Sequence, residues 1–242
     1  MDRRQAMVLG SALGVSLGAA ALLGACGGGG GGGSASSDAS SPSPVTNPGT
    51  PTASPPLSSN IACWGDSLTP AFALNLQVLV PSRTVFDGGF LGQTSAFILQ
   101  QQLADTSMTT WINVLWMGHN NITDPAGIKS DIAAAIAHLA PGSRRFIVLS
   151  LLNNAYTAPK GTDAYVRDLK LDADLAALYP DNYIDVRSML VAAYDPNNPQ
   201  DVIDFQNDVV PSSLRYDDIH LRNEASVLVA QRVKQFIDAK GW

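Results

Sequence analysis

Apolar and polar positions alternate in blocks along the chain from residue 61 onward. Short apolar runs predict extended segments at residues 61–64, 83–86, 111–117, 145–152 and 183–186. Between them, apolar residues recur at helical spacing at residues 70–80, 96–103, 124–139, 164–178 and 223–239. Because the longest runs are continuous rather than alternating, both faces of those strands are expected to be buried. The pattern predicts an α/β fold, a three-layer α/β/α sandwich with a mostly parallel sheet of about five strands.

The amino-terminal residues show a different pattern. Arg3 and Arg4 precede a long apolar stretch, which is typical of an export signal. A membrane-spanning anchor is the alternative, although scattered glycines and serines weaken the stretch as a stable span. It ends in Leu22-Leu23-Gly24-Ala25-Cys26, which resembles the bacterial lipobox, where the chain is cut before a cysteine that carries the lipid. The resemblance implies a lipoprotein signal peptide at residues 1–25 and lipidation of Cys26.

Residues 26–60 are predicted to form a disordered tether. After a run of glycines, they are mostly Ser, Pro, Thr and Ala, with too little apolar surface to offset the entropy of ordering. Residues 61–242 then form a single domain. The lipid implies a protein held to a membrane of the bacterial cell envelope. Because Gly27 is not the aspartate associated with inner-membrane retention, the resemblance favours the outer membrane, facing the periplasm or the cell surface. Sec and twin-arginine export both stay open.

The overall composition excludes several function classes. The 242 residues include 21 acidic and 15 basic side chains, for a net charge of -6. Strong nucleic-acid binding is therefore not expected. The two cysteines are too few for a disulfide framework or a zinc site. Because Cys26 is expected to carry lipid, Cys63 is predicted to be an inert core thiol. The sequence gives no oligomeric state.

Glycine-rich and polar motifs follow the apolar runs. In a parallel sheet, the carboxyl ends of the strands meet at one edge, and reactive groups gather there. The motifs expected at this edge and before the last helix are Gly65-Asp66-Ser67-Leu68, Asp87–Thr94, Gly118-His119-Asn120-Asn121 and Asp217-Asp218-Ile219-His220.

Together these motifs supply the groups that a serine needs to hydrolyse an ester. Ser67 offers a hydroxyl at a strand-to-helix turn, and His220 can act as its base. Asp217, three residues before His220, can orient the imidazole and stabilise the imidazolium. The backbone N–H groups of Ser67 and Gly92 and the side-chain amide of Asn120 can bind the oxyanion.

The same residues resemble the SGNH hydrolases, also called GDSL esterases and lipases. Four blocks occur in the family's order: GDSL at 65–68, GGFLGQTS at 88–95, GHNN at 118–121 and DDIH at 217–220. By motif position, the resemblance implies that Ser67 is the nucleophile and that Asp217 and His220 complete the triad. It also implies that Ser67, Gly92 and Asn120 are the oxyanion donors. The family uses no metal and no organic cofactor, so none is expected.

The third block departs from the family pattern. It commonly reads Gly-x-Asn-Asp, whereas Asn121 occupies the last place here. The expected role of Asn120 is unaffected, but the hydrogen bonding around Asn121 is left open. His119 and Asn121 are the residues expected beside a substrate cleft, with a structural role as the alternative for His119.

Other polar segments are expected to support the site indirectly. Asp66 is predicted to order the nucleophile turn, and Asp218 to be solvated. Residues 188–214 read as a long connection before the triad residues, and whether it shapes or covers the cleft is open.

These observations lead to one main function and two alternatives. We expect a cell-envelope serine esterase that cleaves carboxylic esters, with acetyl or other short acyl groups favoured. The expected substrate is an acylated sugar or lipid, and the membrane is contacted through the amino-terminal lipid. The first alternative is a lipase, thioesterase or lysophospholipase that acts on membrane lipids. The second is a non-catalytic lipoprotein that binds a glycan.

Overall fold

The computed structural model of this protein describes residues 55–242. The signal peptide expected at residues 1–25, the lipidation site Cys26 and most of the tether lie outside the described residues. Within residues 55–242, none of the helices is both long enough and apolar enough to cross a membrane. The folded part begins slightly before residue 61, because the N–H of Ser58 donates to the carbonyl of Thr110 at 3.0 Å.

A single five-stranded parallel sheet lies at the centre of the described domain, in the order β2-β1-β3-β4-β5. The strands are β1 Ile61–Gly65, β2 Val85–Gly89, β3 Ile112–Trp116, β4 Phe146–Leu149 and β5 Tyr183–Ile184. The predicted α/β/α sandwich with about five parallel strands is confirmed. The chain first moves from β1 outward to β2 and then crosses back to β3, so the order reverses between β1 and β3.

Helices cover both faces of this sheet. They are α1 Thr69–Leu79, α2 Ser95–Ala104, α3 Pro125–Ala137, α4 Asp163–Leu178, α5 Val186–Ala192, α6 Pro199–Gln206 and α7 Asn223–Ala239. Alternate residues of β1 supply two separate cores. Ile61 and Cys63 pack in the cluster that includes residues of α1, α5 and α7. Ala62 and Trp64 pack in the cluster that includes residues of α2, α3 and α4. Burial on both faces explains why β1 has no polar residue in its sequence.

Several predicted segments differ from the observed elements, among them β4 and β5, which end three and two residues earlier than predicted. Strand β2 starts later than predicted and runs through Asp87-Gly88-Gly89, which the sequence analysis placed beyond the strand. The stretch 188–214 is not one long connection, because it contains most of α5 and all of α6. Side chains at the first turns of these helices account for their starts. Asp185 accepts the N–H of Ser188 at 2.8 Å, and Asn198 caps α6 ahead of a proline.

Cys63 is fully buried in β1, and among the described residues it forms no disulfide. Burial, with a smaller contribution from the charge of Asp87, raises the pKa of its thiol. A thiol that stays protonated inside a core is unreactive, as the sequence analysis expected.

Candidate active site

The candidate site lies where the strand order reverses. In open parallel sheets, the loops beyond the carboxyl ends of the strands diverge at such a point and leave a crevice for ligands. Strands β1 and β3 flank this crevice, and Ser67 follows β1 directly. The sequence GDSL therefore lies at the position in the fold where a small-molecule site is most expected.

The turn that carries Ser67 is tightly constrained by its neighbours. A Cβ at Gly65 would lie 2.1 Å from Oγ1 of Thr69 and 2.2 Å from the carbonyl oxygen of Trp116, so only glycine fits. The carboxylate of Asp66 accepts the N–H of Leu68 at 3.3 Å, which closes the turn beneath Ser67. Asp66 thus has the turn-ordering role predicted for it. The backbone leaves Ser67 partly exposed, immediately before helix α1.

The structure brings Ser67, His220 and Asp217 together, although Ser67 is 153 residues from His220 in sequence. Oγ of Ser67 lies 2.9 Å from Nε2 of His220, and Nδ1 of His220 lies 2.7 Å from Oδ2 of Asp217. Because a carboxylate only accepts hydrogen bonds, Nδ1 carries the proton and Nε2 is left to accept from the hydroxyl. This is the protonation state that a general base for Ser67 needs.

The carboxylate of Asp217 is stabilised in its ionised form by the loop around it. Burial tends to raise the pKa of Asp217, but hydrogen bonds from the backbone N–H groups of His220 and Ile219 and from the imidazole outweigh it and lower the pKa. The two backbone bonds are 2.7 Å and 2.9 Å long. A charged Asp217 can then stabilise the imidazolium that forms when His220 takes a proton.

Two of the three expected oxyanion donors, Gly92 and Asn120, come from adjoining turns. Gly92 has a φ of 72°, in the left-handed region, within a turn closed by the N–H of Gln93 and the carbonyl of Phe90 at 3.2 Å. The Asn120 side chain is exposed and donates one hydrogen bond to the carbonyl of Gln93 at 3.0 Å. This bond connects the turn of Gly92 to the loop of Asn120. Within residues 55–242, neither the Ser67 nor the Gly92 N–H donates to a protein group, so both are available to a ligand.

His119 does not line an open cleft, which corrects one of the two expectations for this residue. Its side chain is only 6% exposed, and both ring nitrogens are bonded. Nδ1 lies 2.8 Å from the Asp66 carboxylate, and Nε2 accepts the N–H of Leu152 at 3.0 Å. Burial tends to raise the pKa of Asp66, but the hydrogen bond from His119 and those from two backbone N–H groups outweigh it and lower the pKa. His119 therefore connects the loops that follow β1, β3 and β4.

Asn121 is engaged with the start of helix α2 rather than with the open crevice. Its Oδ1 accepts the N–H of Ser95 at 3.0 Å, and its Nδ2 donates to Oγ of Ser95 at 3.0 Å. The Ser95 hydroxyl in turn donates to the carboxylate of Asp131 at 2.5 Å. An amide can both donate and accept here, whereas an aspartate could only accept. This network explains why the third block ends in asparagine.

Asp218 was expected to be solvated, but it forms hydrogen bonds to another loop. Its carboxylate accepts the N–H of Tyr156 at 2.6 Å, and its carbonyl accepts the N–H of Ala155 at 2.9 Å. These bonds connect the triad residues to the loop after β4. Short acidic side chains often bond local backbone in loops, and the sequence offered no signal for this distant partner.

Beside the nucleophile lies a small recess with a volume of about 40 Å³. Its lining includes Ala71 and Ser226 in addition to Ser67 and His220. Tyr216 also borders it, 63% exposed, with its ring nearly parallel to the His220 ring at a centroid distance of 5.7 Å. Tyr216 was not predicted as a site residue, because a single tyrosine beside a motif carries no distinctive sequence pattern.

No protein-family model matches the chain. The tail spike protein of Salmonella phage epsilon15 is 28% identical over 144 residues. That match covers 54% of this chain but only 13% of the tail spike protein, so the chain corresponds to a small part of it.

Solved structures of low sequence identity share the fold over most of their length. The lipase/acylhydrolase of Enterococcus faecalis matches with a TM-score of 0.58 and 14% identity, covering 76% of this chain and 97% of that chain. The GDSL-like lipase of Bacteroides thetaiotaomicron has a TM-score of 0.57 and 16% identity, over 75% and 88% of the two chains. The catalytic domain of Streptococcus pneumoniae peptidoglycan O-acetyltransferase A has a TM-score of 0.52 and 14% identity, over 76% and 94%. The described part of this chain therefore has the fold of the GDSL/SGNH hydrolases.

Proposed function

We propose that this protein is a serine ester hydrolase whose nucleophile is Ser67. The observation that carries the proposal is the continuous hydrogen-bonded chain from Ser67 through His220 to Asp217, at 2.9 Å and 2.7 Å. This chain lies at the crevice of a GDSL/SGNH fold, and within residues 55–242 the backbone N–H groups of Ser67 and Gly92 donate to no protein group. The arrangement meets the geometric requirements for acyl transfer to a serine.

The reaction proceeds in two steps, acylation of Ser67 and hydrolysis of the acyl-serine. Oγ of Ser67 forms a bond to the ester carbonyl carbon while its proton passes to Nε2 of His220, and the carbonyl oxygen becomes an oxyanion. The Ser67 and Gly92 N–H groups and the Asn120 amide donate to that oxyanion. When the C–O bond breaks, the alcohol leaves with the proton from His220. Water then attacks the acyl-serine, gives a proton to His220, and the carboxylic acid departs as Ser67 regains its proton.

The size of the recess favours acetyl or other short acyl groups. A volume of about 40 Å³ is far below the range of about 300–1,000 Å³ that is typical of pockets for drug-sized ligands. The small side chains of Ala71 and Ser226 leave room for a methyl-sized group beside the nucleophile. An acetyl ester is therefore our proposed substrate, and long-chain lipid esters are the alternative that a substrate panel must exclude.

We also propose that the protein is a lipoprotein of the bacterial cell envelope, acylated at Cys26 and placed at the outer membrane. Support comes from the sequence Leu22-Leu23-Gly24-Ala25-Cys26 and from the apolar stretch before it. Metabolic labelling with a fatty-acid analogue, compared between the wild type and Cys26→Ala, tests the acylation. Membrane fractionation of the wild type tests its location.

A serine-reactive fluorophosphonate probe tests the catalytic proposal directly. We expect the probe to label the wild-type protein and not Ser67→Ala, because only an activated hydroxyl reacts. Hydrolysis rates for acetyl, butyryl and long-chain esters, measured side by side, then identify the acyl group. If neither protein is labelled and no ester is cleaved, the protein is a binding module instead.

A further inference from the structure

Asp217 and His220 belong to one short loop, residues 214–222, which we name the triad loop. Its base is closed by an antiparallel bridge between Arg215 and Leu221. Inside the loop, the carboxylate of Asp217 bonds the imidazole and two backbone N–H groups. These bonds orient Asp217 and His220 relative to each other. They do not determine how far the pair lies from Ser67, which follows β1 on a different element.

Contacts outside the triad loop must therefore place it against Ser67, and Arg215 makes the most extensive set. Its side chain is only 4% exposed. Nη1 donates to the carbonyl of Asp217 at 2.8 Å, and Nε donates to the carbonyl of Val210 at 2.8 Å. Nη2 lies 3.3 Å from the carboxylate of Asp204 in α6. One guanidinium thus connects the backbone of a triad residue to two segments outside the loop.

The partners of Arg215 are themselves well fixed. The Asp204 side chain is 5% exposed and also accepts the N–H of Ser212 at 2.7 Å. The Tyr156 hydroxyl accepts from Nη1 at 3.1 Å, and the guanidinium carbon lies 5.0 Å from the centroid of the Tyr156 ring. The backbone of Tyr156 is bonded in turn to Asp218 of the triad loop. Helix α6 and the loop after β4 therefore converge on the same arginine.

We propose that Arg215 is a positioning residue, which places the Asp217–His220 pair at bonding distance from Ser67 by connecting the triad loop to Asp204 of α6. The proposal rests on the proposed function. Because the Arg215 side chain is buried, it acts through the backbone of Asp217 and not through the substrate. Its donors point in separate directions, toward Val210, Asp217 and Asp204, and a lysine ammonium cannot reproduce such a fork.

The variant Arg215→Lys tests this role, because it keeps the positive charge beside Asp204. We expect kcat for p-nitrophenyl acetate to fall about 100-fold, as a displacement of about 1 Å commonly does, with KM within about twofold. Labelling of Ser67 by the fluorophosphonate should slow by a similar factor. The downfield proton resonance of Nδ1 of His220 should persist, because the bonds inside the triad loop remain.

Arg187→Lys provides a matched control. The side chain of Arg187 is similarly buried, at 6% exposed, forms an ion pair with Asp208 at 2.6 Å and lies over the ring of Tyr165. Its replacement removes a comparable set of contacts away from the triad loop. We expect Arg187→Lys to lower the melting temperature about as much as Arg215→Lys does, with kcat unchanged when both are assayed well below that temperature.

A second variant keeps the proposal testable if Arg215→Lys does not fold. Asp204→Asn preserves the shape of the side chain and its bond to Ser212, but weakens the pairing with Arg215. We expect it to lower kcat about tenfold with KM unchanged. Wild-type kcat in both Arg215→Lys and Asp204→Asn, or an equal kcat loss in Arg187→Lys, would overturn the positioning role. An unlabelled and inactive wild type would overturn the proposed function itself.

Discussion

Asn121 shows how one amide can meet requirements that a carboxylate cannot. It gives one hydrogen bond to Ser95 and accepts another from the same residue, while the Ser95 hydroxyl donates to Asp131. The directions of the three bonds are fixed because the backbone N–H of Ser95 only donates and the carboxylate of Asp131 only accepts. The asparagine at position 121, where the family motif commonly has aspartate, is therefore explained by its hydrogen bonds to Ser95. A single sequence motif does not reveal this partner.

Asn121→Asp should destabilise the protein. Two carboxylates would then compete for the single proton of the Ser95 hydroxyl, and one buried acceptor would lose its donor. We expect the free energy of unfolding in urea to fall by about 1–3 kcal/mol. The double variant Asn121→Asp, Asp131→Asn restores a donor and should regain most of the loss. Equal stability of the single variant and the wild type would contradict the network.

Asn120→Ala should mainly affect the rate of catalysis. Asn120 is exposed, so its truncation should leave the melting temperature close to that of the wild type. Loss of one oxyanion donor typically lowers kcat by about 100-fold or more, with a smaller effect on KM. Steady-state kinetics with an acetyl ester measure both quantities. A higher KM with an unchanged kcat would contradict the oxyanion role.

The candidate triad was predictable from sequence, but several supporting residues were not. Ser67, Asp217 and His220 each lie within a motif of defined spacing, and such motifs follow strand ends or precede a helix. The partners of His119 and Asp218 lie 33 or more residues away, in loops whose positions depend on the fold. Arg215 belongs to no motif, and its contacts with Asp204 and Tyr156 exist only once α6 and the loop after β4 are packed together.

At the scale of elements, long periodic segments were predicted well and short ones were not. Helix α7 was predicted with the observed bounds, and α4 differs by one residue at its start. Helix α5, at seven residues, is too short for its apolar spacing to stand out, and its first residue was assigned to the preceding strand. The start of α5 is set instead by the capping side chain of Asp185.

Asp185→Ala tests whether that cap determines the start of α5. The change removes the acceptor for the N–H of Ser188, and loss of an N-cap typically costs about 1 kcal/mol. Urea unfolding should show a decrease of that size. Asp185→Asn is the matched control, because asparagine caps a helix about as well as aspartate, and it should behave like the wild type. Equal losses in both variants would point to a role for the charge.

At the scale of the whole molecule, one of the helices that cover the sheet carries a buried carboxyl group. Asp172 of α4 is 9% exposed and accepts the N–H of Leu151 at 2.8 Å. Burial raises its pKa to about 7, against the opposing effect of that hydrogen bond. The folded protein therefore binds a proton between about pH 4 and pH 7 that the unfolded chain releases. The contribution of Asp172 to stability is therefore greatest at the lower end of this range and falls as the pH rises through it.

Asp172→Asn should remove this pH dependence. The amide oxygen can still accept from Leu151, and no charge has to be buried at high pH. Relative to the wild type, the variant should gain stability between pH 4 and pH 8, by at most about 4 kcal/mol. Urea unfolding at several pH values measures the difference. A difference that does not change with pH would show that Asp172 is not the group responsible.

The solvent exposure of the triad affects which ester-bearing molecules can reach it. Asp217 is 45% and His220 32% exposed at their side chains, and Ser67 already lies at bonding distance from the imidazole. Only the acyl end has to enter the recess, while the alcohol side faces bulk solvent. Under the proposed function, an ester group carried by a long polymer could then be cleaved in place, because the dimensions of the chain bearing it do not limit access.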